Sequence, residues 1–345
     1  MSDNALEFQV ITAEGRFVTA NAKENPDLYW ALKGGGPGTY AVVLSTTFAT
    51  FDDLPSTGLI LDINSSHTSD MGLWWSGVRS FNKYSNHFVD AGLYVYFELM
   101  PLRLHVQPIL AINQTAAQLN ATVKPLLDEL DKLGLKYSAS VKEFKTFYDL
   151  YLDLFEDEQA GQTALTGGWA FSHADVAANN SAIVDAYKTT LDSGGIVIGH
   201  MWTQGKGVTD SAVNPRFKEA SNKVIAALPV GAGASVAEKV KAQDTLTNVV
   251  DAALRKAGPG GCAYVNEVSR ICPILNSSRR RTRNDNTDND IGRPVPAQLA
   301  AELLGDKLPE ALRYPETLGS QGRLLRRVDA RDRRVGDDRF RDETL

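Results

Sequence analysis

Cysteine is nearly absent: Cys262 and Cys272 are the two in 345 residues. Two thiols cannot furnish a four-ligand zinc site, and no His-x-x-x-His or Cys-x-x-Cys spacing supplements them, so no metal site is expected. No apolar run approaches the roughly eighteen residues that span a bilayer. The opening Met-Ser-Asp-Asn has neither a basic region nor an apolar core, so no signal peptide is read and no membrane partner is expected. Charge of one sign is not in large excess either: 42 acidic against 36 basic residues give a net charge of -6, which offers no general attraction for nucleic acid. What remains is an ordinary globular mixture, 43% hydrophobic and 23% charged, long enough for one large or two ordinary domains. Small molecules are the expected partners. Sequons at Asn64, Asn113, Asn120, Asn179 and Asn276 leave the cellular location open and point to a secreted parent protein.

The densest signal is Asn25-Pro-Asp-Leu-Tyr-Trp-Ala-Leu-Lys-Gly-Gly-Gly-Pro-Gly-Thr-Tyr-Ala-Val-Val43. Asn25 is expected to cap a helix by accepting from an early amide, with Pro26 at its first position and Asp27 at its positive end. Lys33 and Gly34 close that helix, and Thr39 to Phe48 reads as a strand. The glycines therefore follow a helix. Rossmann and P-loop sites need a strand feeding glycines that open a helix, so neither is present. Taken alone, the cluster is a helix-to-strand connector.

Before this stretch, Leu6 to Val10 and Phe17 to Thr19 flank a turn and predict a hairpin. After Phe51-Asp-Asp-Leu-Pro55 the elements lengthen, and a second domain is read. Helices are expected over Met71 to Tyr84, Ala116 to Lys132 and Ser181 to Leu191. Strands are expected over Gly92 to Leu99, Leu104 to Ala111, Tyr137 to Val141, Thr166 to Phe171 and Gly195 to Trp202, with long helices following Asn214-Pro215. Blocks of strands and helices predict an antiparallel sheet backed by helices, an α+β domain. Up to Asn276 there are 15 lysines and six arginines; beyond it there are one lysine and 14 arginines. Arg279 to Asp290 is low in complexity and rich in charge, so residues 269–345 are expected to form a disordered or irregular tail. Interleaved aspartates and the lack of stacking aromatics argue against a nucleic-acid arm.

Asp3 to Gly15, Asn25 to Gly36 and Gly38-Thr-Tyr-Ala-Val-Val43 together resemble the berberine bridge enzyme-like oxidases of the vanillyl-alcohol oxidase / p-cresol methylhydroxylase superfamily. Ser211-Ala-Val-Asn-Pro-Arg-Phe-Lys218 and Gly260-Gly-Cys-Ala-Tyr-Val-Asn-Glu267 are similar to segments of that family's substrate domain, especially in fungal members. The resemblance implies that residues 1–55 are the second half of an FAD-binding domain and residues 56–268 a substrate domain whose antiparallel sheet caps the isoalloxazine. It also implies that FAD takes hydride from a small organic substrate of secondary metabolism and that molecular oxygen reoxidises it. By the same resemblance Gly34, Gly35, Gly36, Gly38, Thr39, Tyr40, Val42 and Asn266 line the cofactor; glycines let backbone approach a bulky planar group that carries the hard chemistry itself. Ala41 stands where the family usually has glycine. The family's phosphate-gripping loop and flavin-linked histidine match nothing in this sequence, and its C-terminal motifs stop where the composition breaks. The chain is accordingly read as truncated at its N-terminus, with a tail that arose from a frame shift or retained intron.

Tyr264 and Glu267 are the candidate catalytic residues, placed at the end of a strand whose alternation sends Tyr264 and Asn266 to one face and Glu267 to the other. A phenol beside a flavin can accept a proton when its pKa is lowered; a solvated strand-end acid is the plainer reading of Glu267. His200 reads as a hydrogen-bonded core histidine before a catalytic one. Tyr94, Tyr96 and Glu98 share one strand face, either an ordinary sheet surface or a cavity wall. The two functional readings are an FAD-dependent oxidase and an inactive remnant or binding module of the same family.

Overall fold

The computed structural model describes residues 2–65, 68, 70–155, 164–203, 210–264 and 267. The arginine-rich tail and Asn266 lie outside these residues.

A small three-stranded sheet comes first. Strands β1 (Ala5–Ile11) and β2 (Phe17–Asn21) form the expected hairpin, with Phe8 opposite Ala20 and Val10 opposite Val18. Phe8, Val10 and Ala20 meet Leu32 of α1 (Pro26–Leu32) in a small core. Helix α1 begins at Pro26 as expected, but Asn25 does not cap it. Asn25 lies in the left-handed region at φ 48° and its Nδ2 donates to Thr19 O at 2.7 Å, so the side chain ties the helix start back to β2. The strand expected from Thr39 begins later. Pro37–Tyr40 forms a helical turn, α2, closed by Thr39 N donating to Gly36 O at 2.9 Å, and β3 occupies Val42–Phe48. Proline at the head of the segment suits a helical turn, and this outweighs the strand preference of Thr39 and Tyr40. Among the described residues, strand β3 pairs with β1 alone and leaves Val42, Val43, Leu44 and Phe48 exposed.

The large sheet has seven strands: β4 (Ser56–Asn64), β5 (Tyr94–Met100), β6 (Arg103–Ile112), β7 (Ser138–Phe144), β8 (Ala164–Ser172), β9 (Ile196–Met201) and β10 (Ala220–Pro229). Their order is β7-β4-β6-β5-β9-β10-β8, and every pairing is antiparallel. One face is apolar by strict alternation: Val95, Phe97 and Leu99 of β5 are buried while Tyr94, Tyr96 and Glu98 are half-buried on the other face. Helices α3 (Met71–Lys83), α4 (Ser85–Asp90), α5 (Ala116–Lys132) and α7 (His173–Asp192) cover that apolar face. Asp70 starts α3 by accepting from Gly72 N and Leu73 N, and a capping box of Thr115 and Gln118 starts α5. The buried stripe Leu119, Val123, Leu126 and Leu130 of α5 is the one expected from its spacing. Helix α7 starts eight residues before Ser181, because Ser172 and Asp175 form a capping box that the polar run between them and Ser181 obscures. On the opposite face lies the short α6 (Phe147–Leu154), whose Leu150 and Leu154 pack on Leu110, Ile60 and Tyr94.

Two expectations fail after Trp202. The segment following Asn214-Pro215 is not helical: after a 3-10 turn at Pro215–Glu219 it enters β10, the strand between β8 and β9, and helices resume only with α8 (Val236–Thr245) and α9 (Asp251–Ala257). Its run of alanines favours helix locally, but pairing on both sides and burial of Val224, Ala226 and Leu228 decide the outcome. Nor is there a strand at Tyr264. A single bridge joins Cys262 to Ala170, and Glu267 N donates to Tyr264 O at 3.0 Å. No helix among the described residues is long and apolar enough to cross a membrane.

Candidate functional site

The open face of the large sheet gathers the titratable groups. Register places Tyr96 beside His200 and His200 beside Lys223 across β5, β9 and β10. The Tyr94 hydroxyl is 2.8 Å from His200 Nδ1, and the ring of Tyr96 meets the imidazole edge-on at 5.1 Å. Burial first, and the nearby Lys223 charge second, hold the His200 pKa down to about 4. The imidazole is therefore neutral across the ordinary pH range, with one ring nitrogen able to accept a proton. The Tyr96 hydroxyl donates to Glu98 Oε1 at 3.2 Å.

Lys223 is the centre of this arrangement. Its Nζ lies 2.6 Å from Glu267 Oε2, with the two side chains 13% and 24% exposed, and 4.5 Å from the centroid of the Tyr264 ring. Tyr264 and Glu267, expected on opposite faces of a strand, thus converge on one cation. The hydrogen bond from Glu267 N to Tyr264 O keeps the two close, where the alternation of a strand would have parted them. The bridge from Cys262 to Ala170 brings this part of the chain to Lys223, because Ala170 is the β8 residue paired with Lys223. Burial pushes the Cys262 thiol up to about 11, so this cysteine is a packing residue and not a nucleophile.

The glycine loop is bound to the same region through the segment that joins β9 to β10. Trp30 Nε1 donates to Asp210 Oδ1 at 2.8 Å, and a Cβ on Gly34 would run into Val213, whose backbone nitrogen it would approach to 2.9 Å. Gly34 has φ +103°, a second reason for glycine there. Gly35 is closed chiefly by the Ala31 carbonyl oxygen, which a Cβ would approach to 2.5 Å, with Ala212 and Tyr40 at 3.2 Å. Gly36 and Gly38 differ. A Cβ on Gly36 would meet only Thr39 Oγ1, and a Cβ on Gly38 would meet nothing within 4 Å. Tyr40 and Val42 beside them are half exposed. Lys33 is 4% exposed, with its Nζ 4.8 Å over the Tyr29 ring. A side chain therefore has no room at Gly34 and Gly35, whereas Gly36 and Gly38 leave space beside the backbone, which suits the approach of a flat ligand from that side.

Lys223, Asp210 and Val213 escape a reading from sequence. Had β10 been recognised as a strand, its parity would have put Lys223 on the His200 side; the contacts of Asp210 and Val213 with α1 leave no local signal.

No family model matches the chain. It is 30% identical over 275 residues to the FAD-linked oxidoreductase ZEB1 of Gibberella zeae, covering 77% of this chain and 47% of that protein. To the FAD-linked oxidoreductase patO of Aspergillus clavatus it is 28% identical over 271 residues, with the same coverage of 77% and 47%. A VAO-type flavoprotein of Myceliophthora thermophila C1 shares the fold at a TM-score of 0.71 and 23% identity, over 78% of this chain and 50% of that one. The chain spans about half the length of the curated relatives it matches. It belongs to the vanillyl-alcohol oxidase and berberine bridge enzyme-like family of FAD-linked oxidoreductases.

Proposed function

We propose that this chain supplies the substrate wall, and part of the FAD wall, of an oxidase that acts on a small organic molecule of secondary metabolism. Residues 1–55 contribute to the cofactor side and residues 56–268 form the substrate domain. The observation that carries the reading is the convergence of His200, Lys223, Tyr264 and Glu267 on the open sheet face, with the glycine loop tied to the segment between β9 and β10. FAD, when bound, supplies the two-electron acceptor, and molecular oxygen is the final oxidant.

The protein's own residues hold the substrate and handle its proton. Gly36, Gly38, Thr39, Tyr40 and Val42 offer backbone and side chains to the cofactor, with Asn266 assigned there by family resemblance and Gly34 and Gly35 fixing the loop's shape. Tyr264, 37% exposed beside Lys223, is the group presented to solvent and is proposed as proton acceptor. Glu267 anchors Lys223, and neutral His200, held by the Tyr94 hydroxyl, forms part of the polar surface beside it.

A second reading, a family member that binds without turnover, is favoured by β3, whose apolar residues stand open to solvent and do not enclose a ligand. Addition of FAD to the purified chain separates the two. A protein-bound yellow flavin that yields peroxide with an alcohol substrate supports the oxidase; a folded, colourless protein that yields none supports the second reading.

A further inference from the structure

The Asn-x-Ser/Thr sequons have no part in the oxidase reading, and the fold sorts them. An N-linked glycan is bulky and hydrophilic, so a folded chain that carries one must hold its asparagine in solvent. Asn276 lies outside the described residues. Asn64 ends β4 opposite Arg103 and is half-buried there. Asn179 is half-buried at a kink in α7, next to Asn180, whose amide donates to Arg79 O of α3 at 3.0 Å.

Asn113 and Asn120 differ. Asn113 follows β6 in the connection to α5, in the left-handed region at φ 55°, which asparagine tolerates. The backbone there is fixed: Asn113 N donates to Pro55 O at 2.7 Å, and Gln114 O accepts from Thr57 Oγ1 at 2.6 Å. The Asn113 side chain is exposed and forms no hydrogen bond among the described residues, and the same holds for Asn120 on α5. Helix α5 lies on the apolar side of the large sheet, so glycans there leave the face with Lys223 clear. A glycan at Asn113 also shields apolar surface, since Ile112 beside it is exposed, as are Phe51 and Leu54 of the segment that ends at Pro55.

We propose that the folded chain carries N-linked glycans at Asn113 and Asn120 and none at Asn64 or Asn179. In the transfer, Asn Nδ2 bonds to C1 of a lipid-pyrophosphate-linked oligosaccharide, the C1–O bond to the pyrophosphate breaks, and the amide gives up one proton. The Thr115 hydroxyl caps α5 and the Thr122 hydroxyl donates to Gln118 O at 3.2 Å, so transfer to these two sequons precedes the closing of α5. What the fold decides is which modified chains reach the native state. The test is peptide mapping of the folded protein from its own source after glycosidase release in heavy-oxygen water, which leaves a labelled aspartate wherever a glycan stood. Label at Asn113 and Asn120, with none at Asn64 or Asn179, is the expected result. An unlabelled Asn113 or Asn120 overturns the proposal, as does label at Asn64 or Asn179. In the full chain secreted from yeast, Asn113→Gln and Asn120→Gln each remove one glycan step in gel mobility, and Asn179→Gln removes none. Both target side chains are exposed, so these variants fold. A mobility that ignores Asn113→Gln or Asn120→Gln overturns the proposal as well.

Discussion

Lys223 Nζ stands 2.6 Å from Glu267 Oε2, so one ammonium on β10, next to the sheet's edge strand, holds a carboxylate from the far end of the described chain. Both side chains are mostly buried, and removal of one partner leaves the other charged and desolvated. Lys223→Met is expected to cost about 3 kcal/mol in urea unfolding, and the double variant Lys223→Met/Glu267→Gln to recover most of that loss. Additive losses would mean that the pair is not coupled.

His200 sets an acid limit. Its folded pKa of about 4 lies below the ordinary 6.5, so the unfolded chain takes up a proton that the native chain refuses. The resulting stability is fully present above pH 6.5 and is lost as the pH falls through about 4. At about 1.4 kcal/mol for each pH unit the window holds roughly 3 kcal/mol. His200→Gln is expected to flatten the unfolding free energy across that window.

Asp251 has the opposite sign. Burial in α9 raises its pKa from 3.8 to about 6, its Oδ1 has no hydrogen-bond partner among the described residues, and a Cβ on Gly167 would strike its carboxylate. The native state holds this proton longer than the unfolded chain. Stability from it is therefore present below pH 3.8 and lost as the pH rises through about 6. Thermal unfolding at pH 7.5, a chosen assay condition of roughly one and a half units above that midpoint, is expected to show Asp251→Asn stabilised by up to about 3 kcal/mol, with little difference from the parent near the acid end.

Two glycines of the same loop, Gly34 and Gly38, are expected to behave differently. Gly34→Ala places a methyl against Val213 at a positive φ and is expected to cost about 2 kcal/mol or more. Gly38→Ala meets nothing within 4 Å and is expected to leave the unfolding midpoint unchanged. Denaturant titration of the two variants checks both, and an equal loss would contradict the described loop.

The helices and strands with strong periodicity, such as α5 and β5, were legible from residue spacing because burial on one face selects it. The β10 strand was not. Its alanines favour helix locally, and the choice falls to pairing with β8 and β9, which a local pattern does not encode. Tyr264 and Glu267 were recognisable as chemistry, but their meeting at Lys223 depends on the hydrogen bond between them and on the bridge at Ala170, neither of which a local pattern encodes. Asn25 shows the limit of a cap rule: the right residue type stands at the helix start and bonds to β2 instead.

Flavin fluorescence on addition of FAD to the purified chain tests the central claim most directly, with Gly38→Ala in parallel. The account predicts saturable quenching by the parent chain and weaker binding by Gly38→Ala at unchanged stability. FAD that stays unquenched at every concentration of a folded chain contradicts it.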